Sequence, residues 1–454
     1  VAGQNKVDLN VYYDPRDSVL WSKAGVYAAR ALEFYSDWLG AYPYQQMSVV
    51  SAPLSAGGGM EYPMVAQIGY MEDSASLDLV IAHEIGHTWL YGILANNERA
   101  HPWMDEGLNS FIEAQYTAKY QPAYREAYLP REYTTRASMD QVDALQHALH
   151  FSNTLQPPAT SPESQQQAQY FFSAYTMPAQ GLQMMMGMEG EEVMKKMFRQ
   201  YFADHQFSHV TPAHLSNSFE QACDCDLSWY FDGWIHHAHE IDYRISHFDR
   251  EKKEVTFVNH GPADIPLRFN TYKDGQQIRE HTLNGFKGEK TIHLDHRADE
   301  IHLYEGFMGV NRHWSSNINP RSLIPRFGFM PKIESYRSPT IGITPAFGYN
   351  LADGFMAGVA LSSGLLPQQH FKFVVAPLYG KKSKKIRGYA NFRYINDLKS
   401  GPFDKFLLSL AFDDFGYNVD THYLFRDHYF RWEPTVAFRL KPTDTNSKIS
   451  QWLK

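Results

Sequence analysis

The sequence predicts a multidomain α+β chain of three successive characters. Up to about residue 239, apolar side chains recur mostly at helical spacing. Residues 240–312 break into short strands separated by Gly, Asn and Asp turns, the pattern of a small β-sandwich. Residues 313–454 hold longer alternating segments rich in aromatics, a barrel-like and incomplete β region.

Each element has a local reason. Residues 1–10, in VAGQNKVDLNVYYDP, read as the tail of a strand leaving an upstream β-domain. Leu20, Val26, Ala29, Leu32, Tyr35 and Leu39 recur at three- and four-residue steps and predict a helix over 16–40. QMSVVSAPL (46–54) is β-rich, SAGGG (55–59) interrupts it, and EYPMVAQIGYM resumes extended structure. From about 75 to 235 helices dominate, broken by polar loops such as NTLQPPATSPESQQQ (153–167). EVTFVN, IPLRFNTY, KTIHL and EIHLY are the sandwich strands.

In the last region Ile386, Gly388, Ala390, Phe392 and Tyr394 alternate with Arg387, Tyr389, Asn391 and Arg393. Trp432, Pro434, Val436, Phe438 and Leu440 likewise oppose Arg431, Glu433, Thr435 and Arg439. Apolar residues on one face and charged ones on the other fit a barrel with a wet lumen, or a soluble sandwich. The basic turn KKSKK (381–385) is a solvated hairpin or a contact for lipid phosphates.

Composition narrows the function classes. The 454 residues imply two to four domains at roughly 100–200 residues each. With 43% hydrophobic residues the chain has ample core, and a net charge of −8 argues against nucleic acid as a partner. No run of about 18 apolar residues suggests a spanning helix, which leaves membrane strands open. The two cysteines, Cys223 and Cys225, sit too close for an easy bridge. Val1 opens the chain with neither Met nor a basic and apolar leader pattern, so the start reads as a cut.

The strongest chemical signal lies in LDLVIAHEIGHTWLYGIL (77–94), periodic and free of proline. His83 and His87 stand four apart, one turn above each other on a helix face. Two imidazoles so placed can take adjacent corners of a tetrahedral zinc site. Glu84, between them, sits where a general base takes a proton from water at the metal. A two-histidine site needs a third ligand. Eighteen residues after His87, HPWMDEGLNSFIEAQY carries Glu106 at the start of a second helix that would return beside the first. Asn109 and Glu113 follow on the same face. Glu113 is either a partner holding a ligand histidine or a plain surface carboxylate.

HEIGH and WMDEG at this spacing resemble the gluzincin metallopeptidases, and more narrowly the membrane alanyl aminopeptidase family that includes leukotriene A4 hydrolase. GGGMEYP (57–63) resembles the family's exopeptidase motif, with Tyr62 where the motif has Asn. HTWLYGILANN and CDLSWYFDGWI (225–235) resemble flanking stretches of its catalytic region.

The resemblance implies a thermolysin-like, mainly helical zinc peptidase domain over 11–239, one Zn2+ per chain on His83, His87 and Glu106, and Glu84 as base. It implies that Glu61 binds the substrate α-ammonium, and that Gly57, Gly58, Gly59 and Met60 present a strand edge to an extended peptide. Tyr175, in SAYTMPAQG, aligns with the tyrosine that stabilises the oxyanion, although its neighbours Thr176, Met177 and Pro178 differ from the family's. Tyr170 matches a second tyrosine of some members. The expected substrates are peptides with a free N-terminus. The alternatives are an endopeptidase, or a non-catalytic peptidase-like module of a cell-envelope barrel protein. A barrel over 313–454 would place the chain in a bacterial cell envelope, associated with an outer membrane.

Overall fold

A computed structural model describes residues 6–54, 58–122, 155–161, 163, 167–237, 241–304, 311, 318–320, 324–331, 338–365, 369–398, 400–419, 426–441 and 450–454. Gly57 and residues 153–154, 162 and 164–166 of the loop 153–167 lie outside them.

The first layer is a four-stranded sheet. Its strands are β1 (Asp8–Tyr12), β2 (Gln46–Ser51), β3 (Gly59–Tyr62) and β4 (Val65–Ile68), in the order β1-β2-β4-β3. β1 runs parallel to β2, so residues 8–12 pair inside the sheet that also carries the exopeptidase-like motif. The expectation of a tail leading out of another domain did not include this non-local pairing. β3 runs antiparallel to β4 and forms the outer edge. α1 (Ser18–Trp21) and α2 (Ala24–Trp38) connect β1 to β2.

Helices cover this sheet. α3 (Ser74–Gly86) starts at Asp73, whose carboxylate accepts from the amides of Ala75 and Ser76. A π-helical turn, Trp103–Gly107, leads into α4 (Leu108–Tyr120). α5 (Gln167–Phe171) passes through a second π turn, Phe172–Thr176, into α6 (Met177–Glu189). α7 (Glu191–His205) and α8 (Pro212–Cys223) pack together and are followed by a third π turn, Trp229–His236.

α3 and α4 run antiparallel, since His83 faces Asn109 and Glu113 while Asp78 faces Tyr116 and Gln121. Gly86 permits this approach: a Cβ there would lie 2.1 Å from Asn109 Oδ1 and 2.4 Å from the Tyr35 ring. Trp38, Trp89, Trp103 and Trp234 are fully buried in the surrounding core. The Trp89 indole donates to Gly40 O at 2.9 Å and that of Trp234 to Met177 O at 2.6 Å, so both rings satisfy their polar edge.

Cys223 and Cys225 form a disulfide, contrary to the sequence expectation. Asp224, at φ 55°, turns the chain back on itself at the end of α8 and leaves the two Cα atoms 5.2 Å apart, within bridging reach.

Two antiparallel sheets follow. One is β5 (Tyr243–Asp249), β6 (Glu254–Asn259) and β9 (Gly288–His293). The other is β7 (Leu267–Lys273), β8 (Gln276–Leu283), β10 (Glu300–Leu303) and β11 (Ile318–Asn319). The rings of Phe257 on β6 and Phe269 on β7 meet at 4.9 Å.

The last region is one eight-stranded sheet, open among the described residues. β12 (Arg326–Phe329) and β19 (Trp452–Leu453) flank six long strands. These are β13 (Thr340–Asn350), β14 (Gly354–Ser363), β15 (Phe371–Gly380), β16 (Lys385–Asp397), β17 (Phe403–Val419) and β18 (Arg426–Leu440). The long strands are antiparallel neighbours in chain order. Among the described residues no helix is long and apolar enough to cross a membrane.

Asp78 shows how charge is managed inside the helical region. It is wholly buried, pairs with Arg30, and accepts from Tyr116 Oη at 2.7 Å and Gln121 Nε2 at 2.5 Å. Arg30 also donates to Tyr116 Oη at 2.8 Å and lies over the Tyr120 ring. Asp78→Ala removes the carboxylate from a partly buried guanidinium and leaves Tyr116 and Gln121 without their acceptor. It should cost about 3 kcal/mol, read as an earlier tryptophan-fluorescence transition in urea.

Candidate metal centre and active site

α3 delivers both histidines to one point. His83 Nδ1 lies 3.0 Å from Glu113 Oε2, and His87 Nδ1 lies 2.6 Å from Asp105 Oδ1. Each carboxylate accepts a hydrogen bond from the Nδ1–H it faces, which leaves the Nε2 lone pair of that ring available. The two Nε2 atoms face each other at 3.1 Å, and Glu106 Oε2 sits 3.3 Å from each.

Three acceptors turned toward a common point repel unless a cation or protons lie between them. Donors held by a tetrahedral Zn2+ at about 2.0–2.1 Å stand roughly 3.3 Å apart. The observed triangle therefore fits that ion in donor type and in spacing.

Glu84 is buried beside the triangle. Its Oε2 has no hydrogen-bond partner among the described residues, and burial pushes its carboxyl up to about 7. A carboxylate of Glu61, on β3, comes within 4.8 Å of donor atoms of both Glu84 and His87. Gly59 makes the contact between β3 and α3 close: a Cβ there would lie 2.2 Å from Glu84 Oε1. The carbonyl of Gly58 accepts from Gly69 N at 2.8 Å, and Met60 faces outward.

Tyr175 and Glu106 both sit on π turns, a backbone form that recurs at functional sites. Tyr175 Oη donates to Glu106 Oε1 at 2.6 Å, and its ring stacks on His83. Burial and then Glu106 push the phenol far above its ordinary value, so it keeps its proton and acts as a donor. Tyr170 meets the Tyr175 ring edge-on. The two π turns touch at Gly107, where a Cβ would lie 2.4 Å from Pro178 Cβ and 2.9 Å from Ala174 O.

Asn109, singled out in the sequence, donates to His83 O at 2.9 Å and accepts from Tyr35 Oη at 2.7 Å, holding α3 to α4. Two acidic residues were missed. Asp105 orients His87, and its signal was adjacency to Glu106 in WMDEG. Glu98 lies in a loop without periodicity; its carboxylate and those of Glu61 and Asp105 fall within 4.8 Å of one another. Burial and Glu61 raise the Glu98 carboxyl.

The metal-stripped chain should show a distinctive pH profile. Burial opposes the charge on His83, but hydrogen bonds to Glu106 and Glu113 outweigh it and lift the ring to about 10. A raised folded-state value stabilises below the unfolded value of roughly 6.5 and is lost as pH rises toward 10. Unfolding midpoints of chelator-treated protein should fall across that window, and Glu113→Gln should flatten the fall. Saturating Zn2+ should reverse the slope, because the metal competes with protons for the same nitrogens.

Residues 26–234 match the peptidase family M1 domain. The chain is 22% identical to aminopeptidase N of Lactobacillus helveticus over 222 residues, 46% of this chain and 26% of the relative. It is 24% identical to endoplasmic reticulum aminopeptidase 1 of Homo sapiens over 283 residues, 58% of this chain and 29% of that protein. A crystal structure of Legionella pneumophila aminopeptidase A in complex with aspartic acid aligns at a TM-score of 0.46 and 14% identity, covering 63% of this chain and 34% of that one. The chain thus spans about a quarter of the length of the curated relatives it matches first. The match over 26–234 encloses His83, Glu84, His87, Glu106 and Tyr175, so this part of the chain resembles a peptidase family M1 domain and its aminopeptidase relatives.

Proposed function

We propose that the chain is a zinc-dependent aminopeptidase whose thermolysin-like catalytic domain removes N-terminal residues from peptides. One observation carries this reading: three lone-pair donors converge beside the partnerless carboxylate Glu84, and Glu61 faces them from an open sheet edge.

His83, His87 and Glu106 would hold the ion. When bound, Zn2+ would supply Lewis-acid polarisation of the scissile carbonyl and acidify water in the site. Glu113 and Asp105 fix the imidazole tautomers that this requires. Glu84 takes the proton of the attacking water and returns it to the leaving amine. Its raised value near 7 suits both halves of that transfer. Tyr175 turns its phenol hydrogen from Glu106 toward the oxyanion that develops at the carbonyl.

Glu61 pairs with the free α-ammonium of the substrate, and the strand edge at Gly58, Gly59 and Met60, the outermost of its sheet among the described residues, faces an extended peptide. Tyr170 stands edge-on against Tyr175 at the same centre. Tyr62, in the position of the family's asparagine, leaves the ammonium held from the Glu61 side.

Glu84→Gln should retain about one zinc per chain by elemental analysis and lose about 10^3-fold in kcat. Full activity in that variant with metal bound rejects the base assignment. Acetylating the substrate N-terminus should abolish cleavage; equal turnover of blocked and free peptides would make the enzyme an endopeptidase. Tyr175→Phe should lower kcat about 10^2-fold with KM nearly unchanged, since its hydrogen bond strengthens as the oxyanion forms. A rise in KM at constant kcat would make Tyr175 a binding residue instead.

A further inference from the structure

The eight-stranded sheet is turned inside out for a water-soluble layer. Register puts Phe371, Phe373, Val375, Pro377 and Tyr379 of β15 opposite Tyr394, Phe392, Ala390, Gly388 and Ile386 of β16. The same face continues through Leu408, Leu410 and Phe412 of β17 to Val436, Pro434 and Trp432 of β18. On the other side it runs through Val359 and Phe355 of β14 to Pro345 and Tyr349 of β13. No Asp, Glu, Lys or Arg stands among these positions; Asp414, opposite Gly388 at the end of the band, pairs with Arg387.

The face is open to its surroundings: Tyr349 is 72% exposed, Ile386 71% and Trp432 63%. Several charged residues lie sheltered on the opposite side, although Arg431 and Glu433 of that side, at the far end of the sheet, are exposed. Arg387 is 9% exposed and pairs with Asp353 at 3.2 Å and Asp414 at 2.7 Å. Lys405 is 3% exposed and reaches Asp397 at 2.5 Å. Arg439 donates to Asp404 at 2.8 Å. Water favours the reverse assignment, and a continuous apolar patch over six strands far exceeds what a monomer in water ordinarily shows.

We propose that this face lies in the hydrocarbon of a phospholipid bilayer. Two further features fit that occupant. β13, β14 and β15 have 11, 10 and 10 residues, the 9–11 that a tilted membrane strand needs. The turn between β15 and β16 carries Lys381, Lys382, Lys384 and Lys385, all exposed at the end of the apolar band that Tyr349 and Tyr379 border. Four cations beside an aromatic rim complement the anionic phosphates of a headgroup layer. In lipid the backbone at both outer edges must also be paired, so the membrane form includes strand pairing beyond what the described residues contain.

The test uses the full chain and vesicles of phosphatidylethanolamine with phosphatidylglycerol. The protein should float with the vesicles and resist alkaline carbonate. Brominated acyl chains should quench a fluorescence component that Trp432→Phe lacks. Val436→Arg, on the apolar face, should cut vesicle recovery at least tenfold. Thr435→Arg, one residue away on the opposite face, should leave it near the parent value and serves as the folding control. Replacing the four turn lysines by Gln should weaken recovery most on vesicles rich in phosphatidylglycerol. Failure to float, quenching unchanged by Trp432→Phe, or equal losses from the two arginine variants overturns the proposal. A lipid-free dimer that shields Trp432 overturns it too and assigns the face to a second copy. None of these readouts depends on peptidase activity.

Discussion

Three acceptor atoms, the Nε2 of His83, the Nε2 of His87 and Oε2 of Glu106, point at one another across 3.1–3.3 Å. Left to themselves they repel, and the surrounding structure is arranged to keep them there. Glu113 and Asp105 occupy the far nitrogens of the two rings, so neither imidazole can turn its N–H inward without losing a charge-assisted bond. Asn109 fixes α4 against the carbonyl of His83, and Gly86 lets the helices approach. Folding therefore stores a demand for positive charge at this point, which protons or a divalent ion can meet.

The same demand explains the neighbours. Glu84 lies close enough to sense the centre, its Oε2 has no partner among the described residues, and burial, helped by Glu61 and Glu106, raises its proton affinity. Glu61, Glu98 and Asp105 bring further negative charge along the path from the edge of β3. A site of this sign favours a cationic guest, in keeping with a substrate that presents an ammonium group.

Much of this was legible in the sequence because it depends on short, regular spacing. A four-residue step on a helix places two side chains on one face whatever the rest of the chain does, so His83 and His87 could be paired at once. Glu106 was reachable because a two-histidine site needs a third donor. The π turn that presents it, and the contact of that turn with the one bearing Tyr175, depend on local backbone form that residue identity does not reveal. Asp105 lay next to a recognised ligand, yet its role follows from which ring nitrogen it meets. The parallel pairing of β1 with β2 joins segments over thirty residues apart, and the Cys223–Cys225 bridge turns on one left-handed residue. The alternation of the last region was plain; that its described strands form a single open sheet, with buried ion pairs such as Arg387–Asp353 on one side, needed register and burial.

Gly107 carries a consequence of its own. The missing side chain there lets the turn holding Glu106 rest on the turn holding Tyr175, and one of the opposing atoms is the main-chain oxygen of Ala174. A mutation elsewhere cannot trim a carbonyl, so trimming Pro178 would not make room for even a methyl group. Inherited variation at this position would strike two functional groups in one event and find no second-site suppressor nearby. Gly107 is in that sense a point of lock-in, set by backbone clearance rather than chemistry.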